Sequence, residues 1–239
     1  SVAEDQKLHF QQQFKALDLL GYHEFAEKSI HLWFSMVLLE GKKMSARKGW
    51  MVLWDELLEE GYKKALQEVK KRWPKISKKE KERRAKDIAL GAIIYLIVKY
   101  TPEKIINFSW EQALRFEGDT GPYLQYTYAR ANSILKKGKV KSIRSFDSSF
   151  LKDEREISIL KILSQYPNVL AKSSRDLKPH YLANYLFNLA ENFNNFYQNV
   201  PVLKSEKGFK EARLKLVESV KTILRNGLNL LSMPVIEKM

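Results

Sequence analysis

The sequence predicts a mainly α protein: a helical bundle preceded by a remnant of an α/β fold. Two observations carry this reading. From Gly121 onward, four segments repeat apolar residues at the helical period, which argues a bundle around one shared core. Before residue 80 the helical pattern is interrupted by a short apolar run and a glycine-flanked basic loop, as expected where a strand leaves a sheet.

Residues 1–22 read as a strand remnant entering a helix, with Leu8, Phe14, Leu17 and Leu20 at helical spacing and Gly21 as the stop. Gln6 and His9 lie near its start. In an open α/β sheet that is where ligands bind, although both residue types are commonly structural there. His31 to Leu39, with Trp33, Phe34, Met36, Val37 and Leu39, suits a buried strand. Gly41 to Gly49 follows as a loop with Lys42, Lys43, Arg47 and Lys48. Clustered cations on such a loop suit phosphate, and they also occur where nothing is bound.

Asp55 to Val69 forms a helix. Basic residues dominate from Lys63 to Lys86, with breaks at Pro74 and Ser77. That stretch is either a solvated linker or a surface for a nucleic-acid backbone. Asp87 to Tyr100 is a strong helix ended by Thr101-Pro102. Ile105 to Leu114 then leads into the stretch that organises the chain, Phe116 to Arg130.

There a turn runs straight into a helix. Gly118 and Gly121 permit tight backbone, Asp119 or Thr120 can cap, and Pro122 fits the first turn. Tyr123, Tyr126 and Arg130 share one helical face; Leu124, Tyr128, Ala131 and Leu135 share another. The first face is either a stacking platform or a buried aromatic stripe with Arg130 reaching out of it. Beyond the spacer at 136–149 three more helices are expected: Asp153 to Tyr166, stopped by Pro167; Lys178 to Tyr197; and Lys207 to Leu230.

Composition narrows the partners. The net charge of +14 favours a polyanion, whether nucleic acid or an anionic membrane surface. With no cysteine there is no disulfide framework and no thiolate chemistry. The four histidines are scattered without metal-ligand spacing, so no metal site is expected. The apolar run Ile88 to Val98 is too short to span a bilayer, and the first residues do not resemble a signal peptide. The absence of cysteine suits a cytosolic protein.

Three stretches, in order along the chain, resemble the arginyl-tRNA synthetases of archaeal and eukaryotic type. Gly41-Lys42-Lys43-Met44-Ser45-Ala46-Arg47-Lys48-Gly49 is similar to their Lys-Met-Ser-Lys-Ser-type loop. Phe116 to Arg130 looks like the signature opening their anticodon-binding domain. Arg225-Asn226-Gly227-Leu228-Asn229-Leu230-Leu231, running on to Met239, resembles the family's closing segment.

The resemblance implies a class I, Rossmann-like catalytic remnant over residues 1–80 and a helical anticodon-binding domain over 81–239. It implies ATP as substrate, with Mg, together with arginine and the tRNA for arginine, in a monomeric cytoplasmic protein without membrane association. Lys43, Ser45 and Arg47 would serve catalysis electrostatically, with Gln6, His9, Lys42, Met44 and Lys48 around ATP and substrate. Tyr123, Tyr126, Arg130, Tyr197 and Met239 would contact tRNA. The His-Ile-Gly-His-type motif of the first half of the catalytic fold is not in this sequence. The chain therefore reads as a carboxy-terminal portion that does not aminoacylate by itself. A non-catalytic RNA-binding module and a helical protein-interaction scaffold are the competing readings.

Overall fold

The computed structural model describes residues 2–39, 41–43, 52–139 and 146–239. They form two compact units: Ser1–Met51 with Tyr100–Ser109, and Val52–Lys99 with Trp110–Met239.

In the first unit, β1 (Val2–Ala3) pairs in parallel with β2 (Trp33–Phe34), Val2 opposite Trp33. The helices α1 (Lys7–Leu19) and α2 (His23–Lys28) lie between them in sequence, joined at Gly21 with φ of +89°. A second sheet holds β3 (Val37–Leu39), antiparallel to β4 (Lys42–Lys43) and parallel to β5 (Ile106–Phe108). The expected single buried strand over 31–39 is thus two short strands in separate sheets. The chain changes partners midway: the Ser35 N–H donates to Pro102 O at 2.7 Å, and Met36 O accepts from Ile106 N at 3.0 Å. Nor is the run buried, since Phe34 stays 48% exposed.

The second unit begins with α3 (Trp54–Arg72) packed against α4 (Lys78–Val98). The basic stretch is no linker: it supplies the end of α3 and the start of α4. Pro74 sits in the short connection. Ser77 caps α4, its Oγ accepting from Glu80 N at 3.2 Å. Arg84 is buried, donates from Nε to Glu80 at 2.8 Å and lies 5.4 Å from the Trp73 ring centroid. Hydrogen bonds from Arg83 and Arg84 hold the Glu80 carboxyl down at about 2.

After the single turn α5 (Trp110–Ala113), the glycine turn delivers α6 (Gly121–Lys137) onto α4. Gly118 has φ of +72°, where L side chains rarely sit. A Cβ on Gly121 would fall 2.3 Å from Gly91 O, so the crossing requires glycine. Thr120 is the cap, its Oγ1 accepting from Tyr123 N at 3.3 Å. Asp119 instead accepts from the Tyr95 hydroxyl at 2.5 Å and from Lys99 Nζ at 2.9 Å.

Three further bundle helices follow: α7 (Glu154–Ser164), α9 (His180–Asn199) and α10 (Lys207–Leu230). With α6 they enclose Leu124, Tyr128, Leu186, Leu189, Phe193, Phe196, Val220 and Leu224, all without solvent exposure. An additional helix, α8 (Tyr166–Asp176), was not expected. Pro167 ends nothing; it sits in the first turn of α8, where its missing N–H has no partner to lose. After α10 the chain turns at Ser232, with φ of +59°, and buries Met233 and Ile236.

Candidate functional site

Helical periodicity sorts the side chains of α6. Leu124, Tyr128, Ala131 and Leu135 are buried in the bundle. Tyr123, Tyr126 and Arg130 are half-buried and line a cleft of about 520 Å³. Arg72, Trp73 and Phe116 form another wall of this cleft; Asn194 and Gln198 of α9 complete it, with the exposed Glu117 at its margin.

A hydrogen-bond chain fixes the α6 wall. Arg130 donates from Nη1 to Asn194 Oδ1 at 2.6 Å and from Nη2 to the Tyr126 hydroxyl at 2.8 Å. Its guanidinium carbon lies 4.6 Å from the Tyr126 centroid and 5.7 Å from that of Tyr197. Asn194 Nδ2 donates to the Tyr123 hydroxyl and to Thr127 Oγ1, each at 2.9 Å. Burial pushes the Tyr123 phenol above its ordinary value. Across the cleft, Arg72 lies 4.3 Å from the Phe116 centroid and Trp73 meets Phe116 edge-on at 5.8 Å. Flat rings, guanidinium groups and phenol hydroxyls can stack an unpaired base and hydrogen-bond its edge.

The structure brings four of the residues singled out in the sequence together: Tyr123, Tyr126 and Arg130 line the cleft, and Tyr197 flanks Arg130. Met239 is half-buried and not among the lining residues. Gln6 and His9 are exposed, and His9 Nε2 lies 3.1 Å from Gln13 Nε2. Lys42 is exposed on β4, next to Gly41, whose N–H donates to Asn107 Oδ1 at 2.7 Å. The backbone of Lys43 also lies in β4. Met44, Ser45, Arg47 and Lys48 fall outside the described residues. Among the described residues there is no group of three or more His, Asp or Glu that could hold a metal, and no helix long and apolar enough to cross a membrane.

Two residues were missed in the sequence. Asn194 sits at a core position of α9, four residues after buried Ala190; a polar residue in the apolar phase was the available signal. Glu237 ties down the last residues: it accepts from the Tyr128 hydroxyl at 2.9 Å, Asn132 Nδ2 at 2.8 Å and Arg225 Nη2 at 2.7 Å. Nothing in the local sequence marks it.

Two family models match. That for the DALR anticodon binding domain covers residues 124–239, and that for the catalytic domain of class I (R) tRNA synthetases covers residues 1–110. Similar curated proteins include an arginine–tRNA ligase of Thermococcus sibiricus, 42% identical over 94% of this chain and 36% of its own length. One from Clostridium botulinum is 40% identical over 100% of this chain and 42% of its own. The chain thus spans about two fifths of these relatives. Among solved structures, Thermus thermophilus arginyl-tRNA synthetase matches with TM-score 0.86 and 39% identity, over 95% of this chain and 38% of that one. The Plasmodium falciparum enzyme, at 23% identity and TM-score 0.83, supports the fold.

Proposed function

Because this chain belongs to the arginyl-tRNA synthetase family, we propose that it supplies the tRNA-binding part of an arginine–tRNA ligase and the loop that attends ATP. The observation that carries this is the α6–α9 cleft, where Tyr126 and Tyr197 flank the Arg130 guanidinium and Tyr123 joins it through Asn194. In this reading the cleft receives unstacked anticodon bases, while Met239 and the basic surface of α3 and α4 add contacts. Residues 81–239 serve anticodon binding and residues 1–80 the catalytic domain, although the compact packing units are Ser1–Met51 with Tyr100–Ser109 and Val52–Lys99 with Trp110–Met239.

Lys42, Lys43, Met44, Ser45, Arg47 and Lys48 lie over the triphosphate in the complete enzyme. Their cations offset the charge that develops on pyrophosphate as the arginine carboxylate attacks ATP. Gln6 and His9 border the adenylate pocket. Mg accompanies ATP, and the enzyme acts as a monomer in the cytoplasm.

Titrating the chain with the tRNA for arginine over rising salt tests the binding role. Affinity should fall steeply, since +14 of charge meets a phosphate backbone. Affinity that is flat, or absent at low salt, overturns the reading and favours an interaction scaffold. For the loop, Lys43→Ala in the complete enzyme should slow adenylate formation more than it weakens tRNA binding; equal losses would reduce the loop to an RNA contact.

A further inference from the structure

We propose that Glu237 and Asn132 are positioning residues: together they fix where the Met239 side chain meets the tRNA. The inference rests on the reading above in which Met239 contacts tRNA, and goes beyond it by naming what holds that side chain in place.

Residues 233–239 run beyond α10 with neither helix nor strand, so no backbone ladder sets their direction. Two kinds of anchor act on them. The first is apolar: Met233 is 2% exposed and Ile236 has no exposure. Burial of this kind holds a segment down without aiming it, because the hydrophobic effect has no direction. The second kind is directional. Gln125 Nε2 donates to Pro234 O and to Asp87 O, each at 2.9 Å, which ties the segment to α4 as well as to α6. Asn132 Nδ2 then grips Glu237 twice, at the backbone carbonyl at 2.7 Å and at Oε2 at 2.8 Å. The other carboxylate oxygen, Oε1, accepts from Tyr128 at 2.9 Å and from Arg225 at 2.7 Å. Glu237 is thus held at main chain and side chain by residues of two helices. Both α6 partners are buried in the core, which fixes the frame they provide.

Met239 lies two residues on, no more than about 7 Å from Glu237 along the chain. The bonds at Glu237 set the direction in which those two residues leave. Met239 is half-buried, so part of its side chain is open to a partner. A thioether side chain is flexible and adapts to an irregular apolar surface, so its placement comes from the backbone that carries it. Such a residue contributes a contact at low entropic cost only when that backbone is already placed. Charge supplies a discriminating sign. Removing a carboxylate from a chain of net charge +14 strengthens its attraction to phosphate. A loss of affinity on removing Glu237 therefore runs against the charge effect and reports lost placement.

The test titrates the 239-residue chain with the tRNA for arginine at fixed moderate salt, below the melting temperature of every variant, with affinity expressed per folded molecule. Met239→Ala should lower affinity about fourfold or more, the scale of one buried methylene. Glu237→Ala should bring affinity to within about twofold of the same value, and so should Asn132→Ala, which keeps the carboxylate and covers the case in which Glu237→Ala fails to fold. Combined with Met239→Ala, either substitution should add less than about twofold, because each acts through that side chain. Unchanged or tighter binding in either folded single variant overturns the inference, as do losses that multiply in the double variants. Met239→Ala with full affinity overturns the Met239 contact and the inference with it, whereas a wild type that binds no tRNA overturns the RNA-binding reading itself.

Discussion

On one side of α6, Tyr126, Arg130, Asn194 and Tyr123 form a hydrogen-bonded chain that ends at a cleft. On the other, Tyr128, Asn132 and Arg225 converge on Glu237, and Gln125 donates to Pro234 O at 2.9 Å. Residue types are nearly the same in both: tyrosine, carboxamide, arginine. The difference is the acceptor. Glu237 closes its side with a carboxylate supplied by the chain. The cleft side has an amide in that place, and an amide passes the surplus of protons onward. A network closed by an internal anion is a structural lock; the same groups without one are left ready for an outside acceptor.

The largest expected effect separates core from cleft. Leu124→Ala, at a position with no solvent exposure, should lower stability by about 2–5 kcal/mol and leave RNA affinity per folded molecule unchanged. Tyr126→Ala should do the reverse, losing about 1–3 kcal/mol of RNA affinity with a nearly unchanged melting temperature. Should Tyr126→Ala unfold the protein instead, the two sides of α6 are both structural and the contrast fails.

The smallest effect probes the closed side. Glu237→Gln should cost about 0.5–1.5 kcal/mol of stability, kept modest because Glu237 and Arg225 are both partly exposed. Its pH dependence has a definite sign. Burial alone pulls the Glu237 carboxyl up, but Tyr128 and the cations of Arg225 and Lys221 bring it below its ordinary value. A carboxyl depressed in the folded state stabilises above the unfolded value, about 4.3, and that contribution disappears as pH falls through the folded value. Melting temperatures of wild type and Glu237→Gln should therefore differ at neutral pH and converge in acid. A gap that widens in acid would contradict the assignment. In alkali, Tyr128, pushed up to about 12 chiefly by burial, resists ionisation in the folded state. Stability should accordingly decline as pH rises above about 10, the unfolded value.

The two faces of α6 were legible because a helix repeats its own period, and Leu124 and Tyr126 are told apart by position alone. The α3–α4 pair was half legible. Its apolar residues are sparse between Lys70 and Arg83, and the tertiary partners of Arg84, namely Glu80 and Trp73, decide that a basic residue goes inside. Pro167 misled because the same residue serves as a stop or as a first-turn residue, depending on whether a helix follows. Asn194 looked like one of several asparagines in a core-like run; its role depends on Arg130, 64 residues away. The basic loop was legible only as a motif, and Met44, Ser45, Arg47 and Lys48 lie outside the described residues.

The docking of Glu237 also has a kinetic side. Its bonds to Tyr128 and Asn132 join residues 109 and 105 apart in the chain, whereas α3 and α4 are neighbours linked by a few residues. Closing a long loop costs entropy before its contacts repay it, so the α3–α4 pair should form early in refolding and the Glu237 lock late. An interaction absent from the transition state acts on escape from the native state. Glu237→Gln should therefore speed unfolding in denaturant while leaving the refolding limb in place, which makes this carboxylate a latch on the lifetime of the folded protein.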